Sequence, residues 1–401
     1  MPLSGFVNHR SVLAVGRKIG LGLVIWAVLA GCEVASQSDG PQQKPTAAVT
    51  DDRLVVALVP TELASENVRR AANSAGYRLV RTTDLESLGL EMLSFELPRG
   101  VTGAQAIVYL ETAEPNSTVG VNHAYYLQQS NGFASRMDYA NELLDWPAGG
   151  CRAMAPVGLI DSGVDTTAQP LAGATVIQRR FALGEPPETR HGTEVASVLA
   201  HPTRLHDVRI YNADVIGSTE DAGQSAGAAS LIRAIDWLAS QGVRVINLSL
   251  AGPYNKLLNL AVNTAADRGL LLIAAVGNAG PTAEPQYPAG FKPVIAVTAV
   301  DANRGLYRNA GQGGHVDLAA PGVDVFVSSG DSGRFVTGTS IAAPFVTARI
   351  LADATLVASK DVEELRRNLI RNAQDLGPTG TDPQFGAGLM SARGVCDARG
   401  S

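Results

Sequence analysis

The sequence has few charged and few aromatic residues, which make up 17% and 5% of its 401 positions. Its 32 Lys and Arg residues face 38 Asp and Glu residues, for a formal net charge of −6. No basic stripe of the kind that neutralises a phosphate backbone is present, which argues against a nucleic-acid-binding protein. With 45% hydrophobic residues the chain does not have the composition of a disordered protein, and its length suits about two or three domains.

The hydrophobic run near the N-terminus is short. Residues 19–30 read IGLGLVIWAVLA and follow Arg17 and Lys18. About a dozen apolar residues are too few to span a bilayer, but they suit the apolar region of a signal peptide. The run ends in Leu-Ala-Gly-Cys, which resembles the lipobox of bacterial lipoproteins and makes Cys32 the lipidated residue. The alternative is ordinary cleavage after Ala30, and either process predicts export.

These features divide the N-terminal end into a signal peptide over residues 1–31 and a flexible tether over residues 32–50. The tether is composed mainly of Ser, Gln, Pro and Ala, which cannot form a core. Residues 51–128 then read as strand, helix, two strands, helix and a last strand, STVGVNHAYY. This order predicts a small ferredoxin-like α+β domain. An independent binding domain is the alternative.

A connector over residues 129–149 leads to a second folded part over residues 150–396. Its strands, such as VGLID and VIAVTAV, are rich in Val, Ile and Leu and do not alternate with polar residues. Such strands are typical of parallel sheets that are covered on both faces. Together with helices such as AASLIRAIDWLAS, they predict a doubly wound α/β domain, in which ligands bind outside the carboxyl ends of the strands.

Four polar residues fall at strand ends or helix starts of this domain. They are Asp161 in VGLIDSG, His191 in RHGTEVASVLA, Asn278 in AAVGNAG and Ser340 in GTSIAAP. Each has an ordinary structural interpretation; Ser340, for example, precedes an apolar helical run and could be its N-cap. As a set they supply the nucleophile, base, orienting carboxylate and oxyanion donor that acyl transfer requires.

The four motifs, in this order, resemble those of the subtilisin-like serine proteases, whose chain order is Asp, His, Ser. The G-x-S-x-G elbow of α/β-hydrolases is absent around Ser340. The resemblance implies a serine endopeptidase in which Ser340 attacks the peptide carbonyl and His191 takes its proton. It also implies that Asp161 orients the imidazole, and that the Asn278 amide and the Ser340 N–H bind the oxyanion.

Substrate-binding residues also follow from the resemblance. A first segment, residues 249–251, would pair with the substrate backbone. A second segment, residues 274–276, would line the opposite wall of the S1 pocket, which receives the substrate side chain before the scissile bond. No acidic residue falls in either segment, which implies an apolar or broad preference. The two sets are Ser249, Leu250 and Ala251 for the strand, and Ala274, Ala275 and Val276 for the wall.

The resemblance gives the domain over residues 51–128 the role of a propeptide, which assists folding and then blocks the cleft with its last strand, so the chain would be a zymogen. Cleavage between about Gln128 and Cys151 would leave the lipid anchor on the propeptide and release the protease. Without cleavage the protease would remain tethered to the membrane. Both localisations, outer membrane or periplasm, therefore stay open.

Cysteine is scarce as well. Besides Cys32 the chain has only Cys151 and Cys396, a pair that could close a disulfide around the catalytic domain in an oxidising compartment; two free thiols are the alternative.

No acidic run has EF-hand spacing, so no metal ligands can be assigned and no cofactor is expected, although relatives often bind calcium. Two other functions remain open: a catalytically silent peptide-binding scaffold, and an esterase or amidase with the same triad.

Overall fold

The computed structural model describes residues 53–127, 130–131, 139–182, 184, 188–219, 223–329 and 332–396. The predicted signal peptide, the tether and Cys32 lie outside these residues. Within the described part of the chain, no helix is both long enough and apolar enough to cross a membrane.

The first folded unit is a four-stranded antiparallel sheet with two helices. The strand order is β2-β3-β1-β4, the ferredoxin-like arrangement. Both helices begin at a threonine whose hydroxyl accepts a first-turn N–H, Thr61 for the first helix and Thr102 for the second. The elements are β1 (Leu54–Val59), α1 (Glu62–Ser74), β2 (Arg78–Leu85), β3 (Leu90–Glu96), α2 (Gly103–Ala113) and β4 (Thr118–Val121).

The second folded unit contains the remaining described elements. They are β5 (Ala124–Leu127), β6 (Ser130–Asn131), α3 (Tyr139–Leu143), β7 (Cys151–Arg152), β8 (Val157–Asp161), a 3₁₀ turn (Gln169–Leu171), β9 (Thr175–Arg180), α4 (Arg190–Leu199), β10 (Leu205–His206), β11 (Arg209–Asp214), β12 (Gly217–Thr219), β13 (Gly223–Gly227), α5 (Ala228–Ser240), β14 (Val245–Leu248), β15 (Leu250–Ala251), α6 (Lys256–Asp267), β16 (Leu271–Ala275), β17 (Val294–Val300), β18 (Leu318–Pro321), β19 (Val325–Ser329), β20 (Ser332–Thr337), α7 (Thr339–Leu351), α8 (Ala354–Val357) and α9 (Val362–Ile370).

Seven of the described strands form one parallel sheet in the order β18-β17-β16-β14-β8-β11-β9. Every residue of β8, β14, β16 and β17 is buried, as expected for central strands with helices on both faces. Helices α4 and α7 pack together, as do α5 and α6. The predicted doubly wound domain is therefore present, and it has two edge strands, β9 and β18, that the sequence analysis did not identify.

The two units share one core. Alternate residues of β1 point to opposite sides of the small sheet. Val55, Ala57 and Val59 pack with α1 and α2, whereas Val56 and Leu58 belong to the large apolar cluster of the catalytic domain. Strand β1 is thus buried on both faces of the small sheet.

The last strand predicted for the first unit, over residues 117–126, is two separate strands. β4 remains in the small sheet, but β5 leaves it and inserts between β13 and β15 of the second unit. The sequence analysis missed this break because the polar Asn122 and His123, which lie between the strands, do not mark a turn by themselves.

The region predicted as a connector also contributes to the second unit. Tyr139 in α3 and Trp146 are buried; the Tyr139 hydroxyl donates to the Val323 carbonyl (2.6 Å), and Trp146 Nε1 donates to the Arg204 carbonyl (2.9 Å). Cys151 and Cys396 form a disulfide, with their Cα atoms 5.8 Å apart and 245 residues apart in sequence. In the chain-entropy description, a loop of this length stabilises the fold by about 5 kcal/mol.

Candidate active site

Three predicted residues meet at the carboxyl edge of the large sheet. Asp161 is the last residue of β8, and His191 and Ser340 are the second residues of α4 and α7. Asp161 Oδ1 lies 2.7 Å from His191 Nδ1, and His191 Nε2 lies 3.1 Å from Ser340 Oγ. Asp161 and Ser340 are 0% exposed and His191 is 4% exposed. The carboxylate accepts the Nδ1 proton, so Nε2 faces the hydroxyl as an acceptor.

A close approach of backbones holds the first two of these residues together. Asp161 Oδ1 also accepts the Ser162 N–H (2.7 Å), and Ser162 Oγ accepts the Gly192 N–H (2.9 Å). A Cβ atom at Gly192 would lie 2.5 Å from the Ser162 carbonyl oxygen, closer than such atoms can approach. The glycine after His191 therefore lets the start of α4 lie directly against the end of β8.

The N-cap interpretation of Ser340 is wrong. The N-cap position of α7 is Gly338, which has no side chain to cap the helix. Ser340 lies inside the first turn, whose N–H groups have no acceptor within the helix. The positive end of the helix dipole can stabilise an anion that forms next to Ser340 Oγ.

Asn278 lies just after β16 and is oriented by Thr339. Its Oδ1 accepts from the Thr339 N–H (3.1 Å) and from Thr339 Oγ1 (2.9 Å), and the Gly277 N–H donates to the same Oγ1 (3.1 Å). With Oδ1 occupied, Nδ2 is the donor that the amide can offer a ligand. The sequence analysis did not identify Thr339, although it directly precedes Ser340 in the GTS motif.

A buried polar chain connects the predicted substrate strand to α7. Thr347 Oγ1 donates to Asn247 Oδ1 (2.9 Å), Asn247 Nδ2 donates to Ser249 Oγ (2.9 Å), and Ser249 Oγ donates to the Ser340 carbonyl (2.8 Å). All four residues are fully buried. The sequence analysis did not identify Asn247 or Thr347. The signal that could have found them is that each is a polar residue within an otherwise mostly apolar element, Asn247 in β14 and Thr347 in α7.

The predicted substrate strand is paired with the protein's own chain. Leu250 and Ala251 form β15, which is antiparallel to β5, with Leu250 opposite Leu127 and Ala251 opposite Tyr126. The other edge of β5 pairs with Ala226 and Gly227 of β13. Ala274 and Ala275 end β16, Val276 follows, and all three are buried. Residues 124–127 thus occupy the position predicted for a substrate backbone.

The chain also pairs on the other side of Ser340. In β6, Ser130 lies opposite Thr337 and Asn131 lies opposite Val336, on the strand that leads directly to Gly338 and α7. The described strands β5 and β6 therefore flank the site from its two sides. Gln128 and Gln129, between them in sequence, lie outside the described residues.

The first unit contacts the second at the starts of two helices. Asn122 Oδ1 accepts the Ala229 N–H (2.8 Å), and the His123 carbonyl accepts the Ala228 N–H (3.0 Å). These are first-turn N–H groups of α5, whose N-cap residue, Gly227, has no side chain. The first unit thus supplies the cap that α5 lacks. We call the starts of α5 and α6, residues 227–229 and 255–258, the docking surface.

At α6, Asn255 caps its own helix through Oδ1, which accepts the Leu257 and Leu258 N–H groups. Its Nδ2 donates to the Val121 carbonyl (2.9 Å) and lies 3.0 Å from His123 Nδ1. Because Nδ2 can only donate, His123 Nδ1 must accept, and the imidazole is neutral. Burial lowers the pKa of His123 below its ordinary value.

Charged residues at the docking surface are paired. Lys256, the first residue of α6, forms a 2.5 Å ion pair with Glu111 of α2. Within the described residues, no group of three or more His, Cys, Asp or Glu side chains could hold a metal ion.

Comparison with known proteins identifies the family of this chain. The sequence profile of the subtilase family matches residues 155–388. Subtilisin Savinase from Lederbergia lenta is 32% identical over 254 residues, which cover 59% of this chain and 88% of that protein. The minor extracellular protease Epr from Bacillus subtilis (strain 168) is 29% identical over 259 residues, 61% of this chain but only 39% of Epr.

Among solved structures, fervidolysin from Fervidobacterium pennivorans, a keratinolytic enzyme related to subtilisin, superposes with a TM-score of 0.71. The identity is 20%, and the match covers 85% of this chain and 60% of that one. A lanthipeptide protease superposes with a TM-score of 0.52 over 61% of this chain and 88% of the other, at 22% identity. At these identities the likeness supports the fold alone.

Proposed function

The chain belongs to the subtilase family of serine endopeptidases, and we propose that it cleaves peptide bonds with Ser340 as nucleophile, His191 as general base and Asp161 as the carboxylate that orients the imidazole. The observation that carries the proposal is the buried Asp161–His191–Ser340 arrangement, with distances of 2.7 and 3.1 Å, at a cleft where strands of the same chain pair on both sides.

The reaction follows from this geometry. Ser340 Oγ attacks the carbonyl carbon while its proton moves to His191 Nε2, and Asp161 stabilises the imidazolium. The imidazolium then protonates the leaving amine, which leaves an acyl-enzyme. Water, deprotonated by His191, attacks the acyl group and restores Ser340. The Asn278 Nδ2 group and the Ser340 N–H stabilise the oxyanion of both tetrahedral intermediates.

We also propose that residues 54–127 form an intramolecular inhibitor that the enzyme removes by cutting the chain between Leu127 and Ser130. The support is that β5 pairs on both edges, with β13 and β15, whereas β6 pairs with β20 as its one partner among the described strands. After cleavage the first unit would remain bound as a product, and its capping of α5 would help the catalytic domain to fold.

The proposal extends to localisation. Lipidation at Cys32 would anchor the first unit in the membrane, so self-cleavage would separate the anchor from the protease and release the catalytic domain. Export is in keeping with the relative whose name describes an extracellular protease.

The test compares the wild type with Ser340→Ala, each tagged at its C-terminus and produced in a bacterium that processes lipoproteins. Membrane and soluble fractions are separated, and the tagged species are measured by intact mass. We expect a soluble catalytic domain from the wild type and a full-length membrane species from Ser340→Ala. The variant should also lose about 10⁶-fold in peptide hydrolysis, a magnitude known from subtilisin itself.

Two results would contradict the proposal in different ways. If both proteins stay full-length and only the wild type hydrolyses peptides, the self-cleavage is wrong and the enzyme is a tethered protease. If neither hydrolyses a chromogenic peptide, the endopeptidase function is wrong. A short-chain ester assayed in parallel separates peptidase from esterase activity.

A further inference from the structure

One buried carboxylate close to the site takes no part in the catalytic steps. Glu194 is 0% exposed and lies in α4, about one helical turn after His191. Its Oε1 accepts a hydrogen bond from Arg334 Nε (2.5 Å), and the arginine side chain is 32% exposed. Removing a carboxylate from water is costly, and a buried ion pair often stabilises a fold less than an apolar contact of the same volume. Stability alone therefore does not explain the pair.

The ion pair joins two elements that have different parts in the reaction. Helix α4 carries His191, which protonates the leaving amine in the proposed mechanism. Arg334 lies in β20, which pairs with β19 on one edge and with β6 on the other. Under the proposed self-cleavage, β6 belongs to the chain beyond the scissile bond. The pair thus connects the helix that carries the proton donor with the strand that holds the leaving side of the substrate.

The hairpin of β19 and β20 lies outside the seven-stranded sheet. Three of its valines, Val325, Val327 and Val336, are buried in the large apolar cluster. Apolar contacts are non-directional, so they keep the hairpin on the core without fixing where it lies along its neighbours. A charge-assisted hydrogen bond is short and has a defined geometry. The ion pair is therefore a contact that can fix the position of the hairpin against α4.

We propose that Glu194 and Arg334 are positioning residues, whose ion pair holds β20 at a fixed place beside α4 so that a substrate paired with β20 presents its amine to His191. This inference rests on the proposed endopeptidase function. It applies to substrates that continue beyond the scissile bond, because only these can pair with β20. An anilide, whose leaving group is an aromatic amine without further residues, does not use β20 and should depend little on the pair.

The test compares two substrates that share the same residues before the scissile bond. One is a chromogenic anilide, and the other is an internally quenched peptide that continues for several residues beyond the bond. Glu194→Met/Arg334→Met replaces the ion pair by an apolar contact and leaves no buried charge unpaired. We expect its peptide-to-anilide ratio of kcat/KM to fall about tenfold, the lower end of what a hydrogen bond to a charged group contributes. The ratio does not depend on the amount of active enzyme.

Two further variants of the full chain bracket this result. Arg334→Lys keeps a cation that can reach the carboxylate and should recover most of the wild-type ratio. Arg349→Met/Asp353→Asn removes another ion pair (3.0 Å), at the C-terminal end of α7, whose arginine is 6% exposed. This control should keep the wild-type ratio, because the pair that it removes contacts neither α4 nor β20.

A variant of nearly unchanged shape covers the case in which the double methionine protein does not fold. Glu194→Gln keeps an acceptor for Arg334 but loses the charge. Its peptide-to-anilide ratio should fall about threefold, because a charge-assisted hydrogen bond is about twice as strong as a neutral one.

The outcomes separate this inference from the proposed function. If the wild type cleaves both substrates and the variants of the pair keep its ratio, or lower both rates equally, the inference is wrong and the endopeptidase function stands. If the wild type does not cleave the peptide, the endopeptidase function is wrong and the inference falls with it.

Discussion

The active site and the docking surface both use the first turns of helices, but for opposite purposes. At the active site, the starts of α4 and α7 carry His191 and Ser340, and the positive end of the α7 dipole would stabilise an anion that exists only during the reaction. At the docking surface, the first-turn N–H groups of α5 bond permanently to Asn122 and His123 of the first unit. The two regions therefore direct the same backbone feature at acceptors of different lifetime, as the proposed catalysis and the proposed inhibition would require.

The two regions also differ in how much free energy is lost when a single hydrogen bond is removed. The site residues belong to one domain and are closed off from water, so a lost contact leaves a buried group without its partner. The docking contacts join two units, and water can replace them when the units separate. We therefore expect single substitutions to cost orders of magnitude in rate at the site and only severalfold in affinity at the docking surface.

After Ser340→Ala, the largest effect is expected for Asp161→Asn. The amide cannot hold the Nδ1–H tautomer of His191 or stabilise its positive charge, so kcat should fall by about 10⁴. Peptide hydrolysis measured at saturating substrate checks this. Asp165→Asn, the same change at a partly exposed residue four positions later, should change kcat by less than about twofold. Comparable losses in the two variants would mean that Asp161 acts only through the fold.

A smaller effect is expected for Asn122→Ala, which removes the side-chain cap of α5. A cap contributes about 1 kcal/mol, so a fragment of residues 51–127 should inhibit the mature enzyme about fivefold more weakly. Inhibition constants for wild-type and variant fragments give the value directly. Asn73→Ala, an exposed position at the end of α1, is the matched control. Equal inhibition by all three fragments would show that the docking surface does not depend on this cap.

The last effect concerns pH and is expected only below about pH 6.5. Docking buries His123 as the neutral imidazole and lowers its pKa below 6.5, so the undocked fragment binds a proton more readily. Inhibition should be strongest above pH 6.5 and weaken as the pH falls below it, by at most about tenfold per pH unit.

The measurement is the ratio of the inhibition constants of the wild-type and His123→Gln fragments from pH 7.5 to 5.5, in which pH effects on the enzyme cancel. The glutamine can still accept from Asn255 and does not titrate. A ratio that stays constant with pH would show that His123 is not protonated on release.

The sequence predicted more of the candidate active site than of the neighbouring cleft, in which β5 pairs with β13 and β15. Asp161, His191, Asn278 and Ser340 were identifiable because their chemistry allows few substitutes and because glycines mark the tight backbone around them. The supporting residues Thr339, Asn247 and Thr347 were missed because a hydroxyl or an amide in a strand or helix has many ordinary interpretations. Their partners become clear only when β14, β16 and α7 are packed together.

The break between β4 and β5 shows the same limit. Both strands have β-type sequences, and local pattern cannot tell which sheet a strand joins, because the partners β13 and β15 lie about a hundred residues away. The sequence by itself determined the parallel sheet, through its uniformly apolar strands, and the order of the catalytic motifs. Only the tertiary structure decided that residues 124–127 pair between β13 and β15, because pairing partners depend on contacts between distant segments.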